Sequence, residues 1–185
     1  MDEALEIVQG AVRACKRRFG DTDLLTFKAW TRLAGTLHTT FLNSASSSQL
    51  ERAKDIATFV FEEYRKIHGE YHEDTVEAET LLGFILRDKE LYAEAELHYK
   101  HALLAAEMSS GENVYSVISR LMDLLTLYEK QGGEESARVI SDRITNLKKE
   151  MDQNQTLHVN PEGTNLVARA HSPSGFRILS SKADA

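Results

Sequence analysis

Residues 68–110 read HGEYHEDTVEAETLLGFILRDKELYAEAELHYKHALLAAEMSS, two apolar-periodic segments joined by the polar turn Asp88-Lys89-Glu90. The same plan recurs weakly 42 residues downstream, after Gly111, and 49 residues upstream, after Gly20, where seven extra residues are inserted. Gly20 precedes Asp-Thr-Asp, Gly69 precedes Glu-Tyr-His-Glu-Asp-Thr and Gly111 precedes Glu-Asn, so the three glycines mark one point in successive copies. A period in this range predicts stacked helical hairpins, none of which can bury its apolar face without a neighbour.

Within the quoted copy, Val76, Ala78, Leu81, Leu82, Ile85 and Leu86 recur at helical spacing behind a cap at Asp74 or Thr75, and Tyr92 to Met108 return through Ala95, Leu97, Tyr99, Ala102 and Leu103. Upstream, Asp23 is the expected N-cap of a helix carrying Leu24, Phe27, Trp30, Leu33, Ala34, Leu37 and Phe41. The run from Asn43 to Ser48 is expected to be a polar loop that holds the seven-residue excess, before a helix over 49–67. Downstream come Val114 to Tyr128, the turn Gln131-Gly132-Gly133, and a last helix from Glu134 to about Met151 whose apolar face fades as a terminal helix's should. Residues 3–18 are expected to form a first helix with no partner before it, bearing Leu5, Val8, Ala11, Val12 and Cys15.

The chain has 185 residues and only two prolines, both beyond residue 160, so no proline breaks a helix before then. The net charge of −7 falls within residues 1–151, since the tail balances Asp152, Glu162 and Asp184 against Arg169, Arg177 and Lys182. An acidic body argues against nucleic acid or an anionic membrane as partner. A single cysteine, Cys15, excludes an internal disulfide framework and fits a reducing compartment. The acidic start Met-Asp-Glu-Ala-Leu-Glu is unlike a signal or transit peptide, and no apolar run reaches membrane-spanning length, so a cytoplasmic or nuclear location is expected.

The pair Leu82-Gly83 followed by Ala95, Tyr99 and Ala102 resembles the tetratricopeptide repeat in identity and spacing, most closely the 42-residue variety of kinesin light chains. Leu33-Ala34 with Ala53, Ala57 and Val60 repeats the pattern, Leu124-Leu125 with Ala137, Ser141 and Ile144 is a degenerate copy, and Ala4, Val8 and Ala11 continue the register into the first helix. The resemblance covers residues 3–150 and implies an all-α right-handed solenoid of antiparallel helix pairs, with seven helices in about two and a half to three repeats. The repeat domain is expected over 1–151 and a flexible, disordered tail over 152–185, with Phe176, Ile178 and Leu179 as its one apolar cluster and Ser172-Pro173 as a phosphorylation context.

That family's asparagine ladder, which fixes cargo peptides, is absent, and its His-Pro-Asp-Thr appears as His72-Glu73-Asp74-Thr75. The resemblance therefore transfers a scaffold and leaves the ligand open. His68 and His72 stand four apart, a spacing that suits metal ligation on a helix, but they flank Gly69 in an inter-repeat turn and His72 takes a cap position, so no metal is expected there. His98 and His101 are expected to be solvated or to pack between helices. No phosphate loop, nucleophile elbow or Cys-x-x-Cys occurs, and no catalytic residue or cofactor is expected.

The expected function is a non-catalytic scaffold that holds a protein or peptide segment in the concave face. The expected groove comprises Lys28, Thr31, Arg32 and His38, then Glu77, Thr80, Phe84 and Arg87, then Met122, Asp123 and Thr126. Its mixed charge suits a ligand with an acidic end and an apolar anchor. The rival expectations are a segment of a longer array that self-associates as a homodimer through the N-terminal helix, and a regulatory repeat module of a nucleotide-switch protein.

Overall fold

The computed structural model describes residues 2–109 and 114–157, and within them seven helices and no strand. They are α1 (Asp2–Phe19), α2 (Leu24–Ser44), α3 (Ser47–His68), α4 (Glu73–Asp88), α5 (Tyr92–Ser109), α6 (Val114–Gln131) and α7 (Glu134–Leu157). Each helix packs on its predecessor and its successor, and α2 also touches α4. Such nearest-neighbour packing is the signature of an all-α helical repeat.

The core runs as one strip from Val12 of α1 to Ile144 of α7. At the α4–α5 crossing Ala95, Tyr99 and Ala102 are fully buried together with Ile85 and Leu86. Small side chains there let two backbones approach while the Tyr99 ring fills the space between them. Ala53, Ala57 and Val60 bury equally well on α3. In the degenerate copy Leu124 is buried on α6, but on α7 only Ile144 of the three repeat positions is, Ala137 being half-buried and Ser141 exposed. Ala4 and Ala11 of α1, which stand in register with Ala95 and Ala102, are exposed.

Local chemistry sets the helix ends. The Asp23 carboxylate accepts from the Leu25 N–H at 2.8 Å, and Thr26 Oγ1, fully buried, donates to the Gly20 carbonyl at 2.7 Å, which pins the α1–α2 turn. Gly69 ends α3 at φ 87°, a backbone shape that other residues adopt only with strain.

Three expectations are corrected. Asn43 to Ser48 is not a loop: α2 runs to Ser44 and α3 starts at Ser47, so the excess lengthens two helices of 21 and 22 residues against 16 and 18 in the next hairpin. The α4 cap is His72, whose Nδ1 accepts from the Asp74 N–H at 3.2 Å, in place of Asp74 or Thr75. α7 continues to Leu157, past the boundary expected at Met151. The remainder of the expected tail, with its apolar cluster and its Ser-Pro, lies outside the described residues.

Candidate binding groove

The first helix of each hairpin turns one face inward, and α2, α4 and α6 together line a groove of about 940 Å³. Arg32, Gly35, Thr36 and Thr39 come from α2; Glu73, Val76, Glu77, Thr80 and Phe84 from α4; Ser116, Ser119, Arg120 and Asp123 from α6. These follow the three- and four-residue steps of a single helix face. Tyr71, from the α3–α4 turn, and the end of α5 at Ala105 and Ala106 complete the wall.

Of the expected groove residues, Thr31, Arg32, Glu77, Thr80, Phe84 and Asp123 meet in this groove. Lys28, His38, Arg87, Met122 and Thr126 are not on its wall. Lys28 pairs with Asp74 at 3.4 Å, Met122 is exposed, and Thr126 Oγ1 donates to the Met122 carbonyl at 2.9 Å.

His38 and Arg87 are drawn to Asp88, the last residue of α4, whose side chain is only 3% exposed. His38 Nε2 lies 2.8 Å from Asp88 Oδ2, Arg87 reaches the carboxylate at 3.1 and 3.2 Å, and Lys130 Nζ donates to Oδ1 at 2.7 Å. Burial by itself would raise the Asp88 carboxyl, but the donors from His38, Arg87 and Lys130 hold it well below the usual carboxylate range. One carboxylate thus binds together α2, α4 and α6.

Arg120 crosses from α6 to α4: its Nη1 donates to Thr80 Oγ1 at 2.8 Å and to Asp123 Oδ2 at 3.1 Å. Burial pushes the Asp123 carboxyl up, against the pull of Arg120 and Arg87. The sequence reading missed Arg120, Tyr71 and Glu73. Glu73 lies one helical step before Glu77 and was accessible to periodicity, whereas the Arg120–Thr80 contact depends on the tertiary placement of two helices.

Two histidine clusters lie outside the groove wall. Glu79, 3% exposed, accepts contacts from both His98 Nδ1 at 3.1 Å and His101 Nδ1 at 2.6 Å, and Tyr71 stacks on His101. These two histidines therefore bind a buried carboxylate between α4 and α5. His68, His72 and Asp74 each place one potential ligand atom within 4.8 Å of the others.

No family model matches the sequence, and no curated protein matches it either. Among solved structures the fold is similar to that of BtubC (BKLC) from P. vanneervenii, with a TM-score of 0.69 and 17% sequence identity over 92% of this chain and 64% of that one. The chain therefore spans less than two thirds of the length of that protein, and the likeness shows a helical-repeat fold.

Proposed function

We propose that the chain is a non-catalytic binding scaffold of the tetratricopeptide type, close to the 42-residue kinesin-light-chain variety, which holds a protein segment in the α2–α4–α6 groove. The observation that carries this reading is the groove itself: a continuous wall with Phe84 and Leu81 as apolar floor, and with Arg32, Glu77 and Arg120 as charged groups. Arg32 at one side and the apolar Phe84 further along suit a segment with an acidic residue and an apolar anchor. The half-buried Cys15 and the acidic body fit a cytoplasmic setting.

Capture of partners from the native cell by wild type and by an Arg32→Glu, Glu77→Arg variant tests the reading. Partners should be lost from the variant while its helix content and melting midpoint stay unchanged. Equal capture by both proteins would reject the groove.

A second reading rests on α1, where Ile7 is 65% exposed and Phe19 43% exposed. Such a face would suit self-association through the N-terminal helix. Sedimentation over a range of concentrations separates the two, since pairing through α1 should be concentration-dependent and abolished by Ile7→Glu.

A further inference from the structure

We propose that His68, His72 and Asp74 form a site for a divalent transition-metal ion of the zinc class. The geometry originates in the α3–α4 turn. His68 is the last residue of α3, Gly69 reverses the chain at φ 87° and ψ 175°, and His72 caps α4. Two histidines four apart in sequence are thereby laid ring on ring, with centroids 4.1 Å apart and planes 15° from parallel. Tyr64 stacks beyond His68 at 5.9 Å.

Both imidazoles border one oxygen. Asp74 Oδ2 is 4.0 Å from His68 Nε2 and 3.9 Å from His72 Nδ1. The His68 Nε2 atom is buried and has no hydrogen-bond partner among the described residues, an arrangement that native proteins usually avoid. Lys28 Nζ sits 3.4 Å from the other oxygen, Oδ1, which fixes the carboxylate with Oδ2 toward the rings. Outer partners of this kind orient ligands in metal sites.

The donor set selects the ion. Two neutral imidazole nitrogens and one carboxylate oxygen suit zinc, cobalt, nickel or copper, whereas calcium and magnesium require a shell of oxygens. Tetrahedral zinc, with bonds of about 2.0–2.1 Å, needs ligand atoms about 3.4 Å apart. The separations to Oδ2 must therefore close by roughly half an ångström, and the two stacked rings must tilt so that their in-plane lone pairs converge on the ion. On ligation His72 Nδ1 gives up the long contact from the Asp74 N–H, and the fourth position remains for water. The site would clamp the α3–α4 turn next to Tyr71 and Glu73, which line the groove.

Calorimetric titration of the full chain with zinc in a non-coordinating buffer tests the proposal. One equivalent should bind, with affinity reduced at least tenfold in His68→Ala, in His72→Ala and in Asp74→Asn, and lost in the double histidine variant. Unchanged binding by the double variant, or no binding by wild type at millimolar zinc, would overturn it. Imidazole proton spectra of the wild-type chain give a second readout that does not depend on the folding of variants. Zinc should move the His68 and His72 signals, and shifts confined to His98 and His101 would equally overturn the assignment.

Discussion

A Cβ placed on Gly83 would sit 2.6 Å from Tyr99 Cε1, so glycine is the residue that lets α4 and α5 close on a fully buried tyrosine ring. Gly83→Ala gains up to about 1 kcal/mol of helix propensity but forces that ring to move. Overpacking of this kind costs about 1–3 kcal/mol, and the fully buried ring can yield only against its core neighbours. Net destabilisation is expected in urea unfolding, and a rise in the midpoint would show that the crossing is looser than the contact implies. Ala95→Trp, at a fully buried position of the same crossing, should cost at least as much.

The Tyr99 hydroxyl is buried with no hydrogen-bond partner among the described residues. Burial also pushes its ionisation up, far from any physiological role. A buried polar group without a partner costs about 1–3 kcal/mol, so removing it should relieve strain in the core. Tyr99→Phe is expected to match or exceed wild-type stability in thermal melting. A loss above about 1 kcal/mol would mean that the hydroxyl has a partner, such as an ordered water.

The α4–α5 crossing was legible because its spacing is local: Leu82-Gly83 and Ala95-Tyr99-Ala102 name their own contacts. The segment 43–48 was not, since Ser and Asn usually favour turns. Here Asn43 Nδ2 and Ser44 Oγ donate to the carbonyls four residues earlier, which lets α2 continue through polar residues. In the groove, periodicity found the inward side of α2 and α4. It could not find that His38 turns toward Asp88, because Asp88 reads as a turn residue and its partners His38 and Lys130 lie 50 and 42 positions away on other helices, nor that the adjacent Arg87 joins them there in place of the groove.

Asp88 also sets an acid limit. Its folded-state carboxyl is held below the ordinary value of 3.8, so it contributes stability that is fully present above that value and lost as pH falls through it toward the lower folded one. Asp88→Asn should cost about 1.5–3 kcal/mol near pH 7, the usual worth of hydrogen bonds to a charged group. The penalty should shrink as pH falls below about 4, where Asp88 of the unfolded chain takes up a proton while the folded carboxylate stays charged. Urea midpoints for both proteins between pH 7 and pH 3 check this; a penalty constant across that range would remove Asp88 from the acid response.

Glu79 tests whether the two α5 histidines are structural. Its carboxylate is buried at 3% exposure, and each of its oxygens meets one imidazole. Glu79→Gln preserves shape but replaces one acceptor oxygen with a donating amide, leaving one of the two contacts without an acceptor. A loss of about 1–3 kcal/mol is expected. The cost should fall sharply when His101→Asn is combined with it, because the shorter contact, at 2.6 Å, is then already gone. Chemical denaturation of the two single variants and the double variant closes the cycle. Strict additivity would mean that Glu79 and His101 do not act as a pair and that α4 and α5 are held by apolar packing at that point.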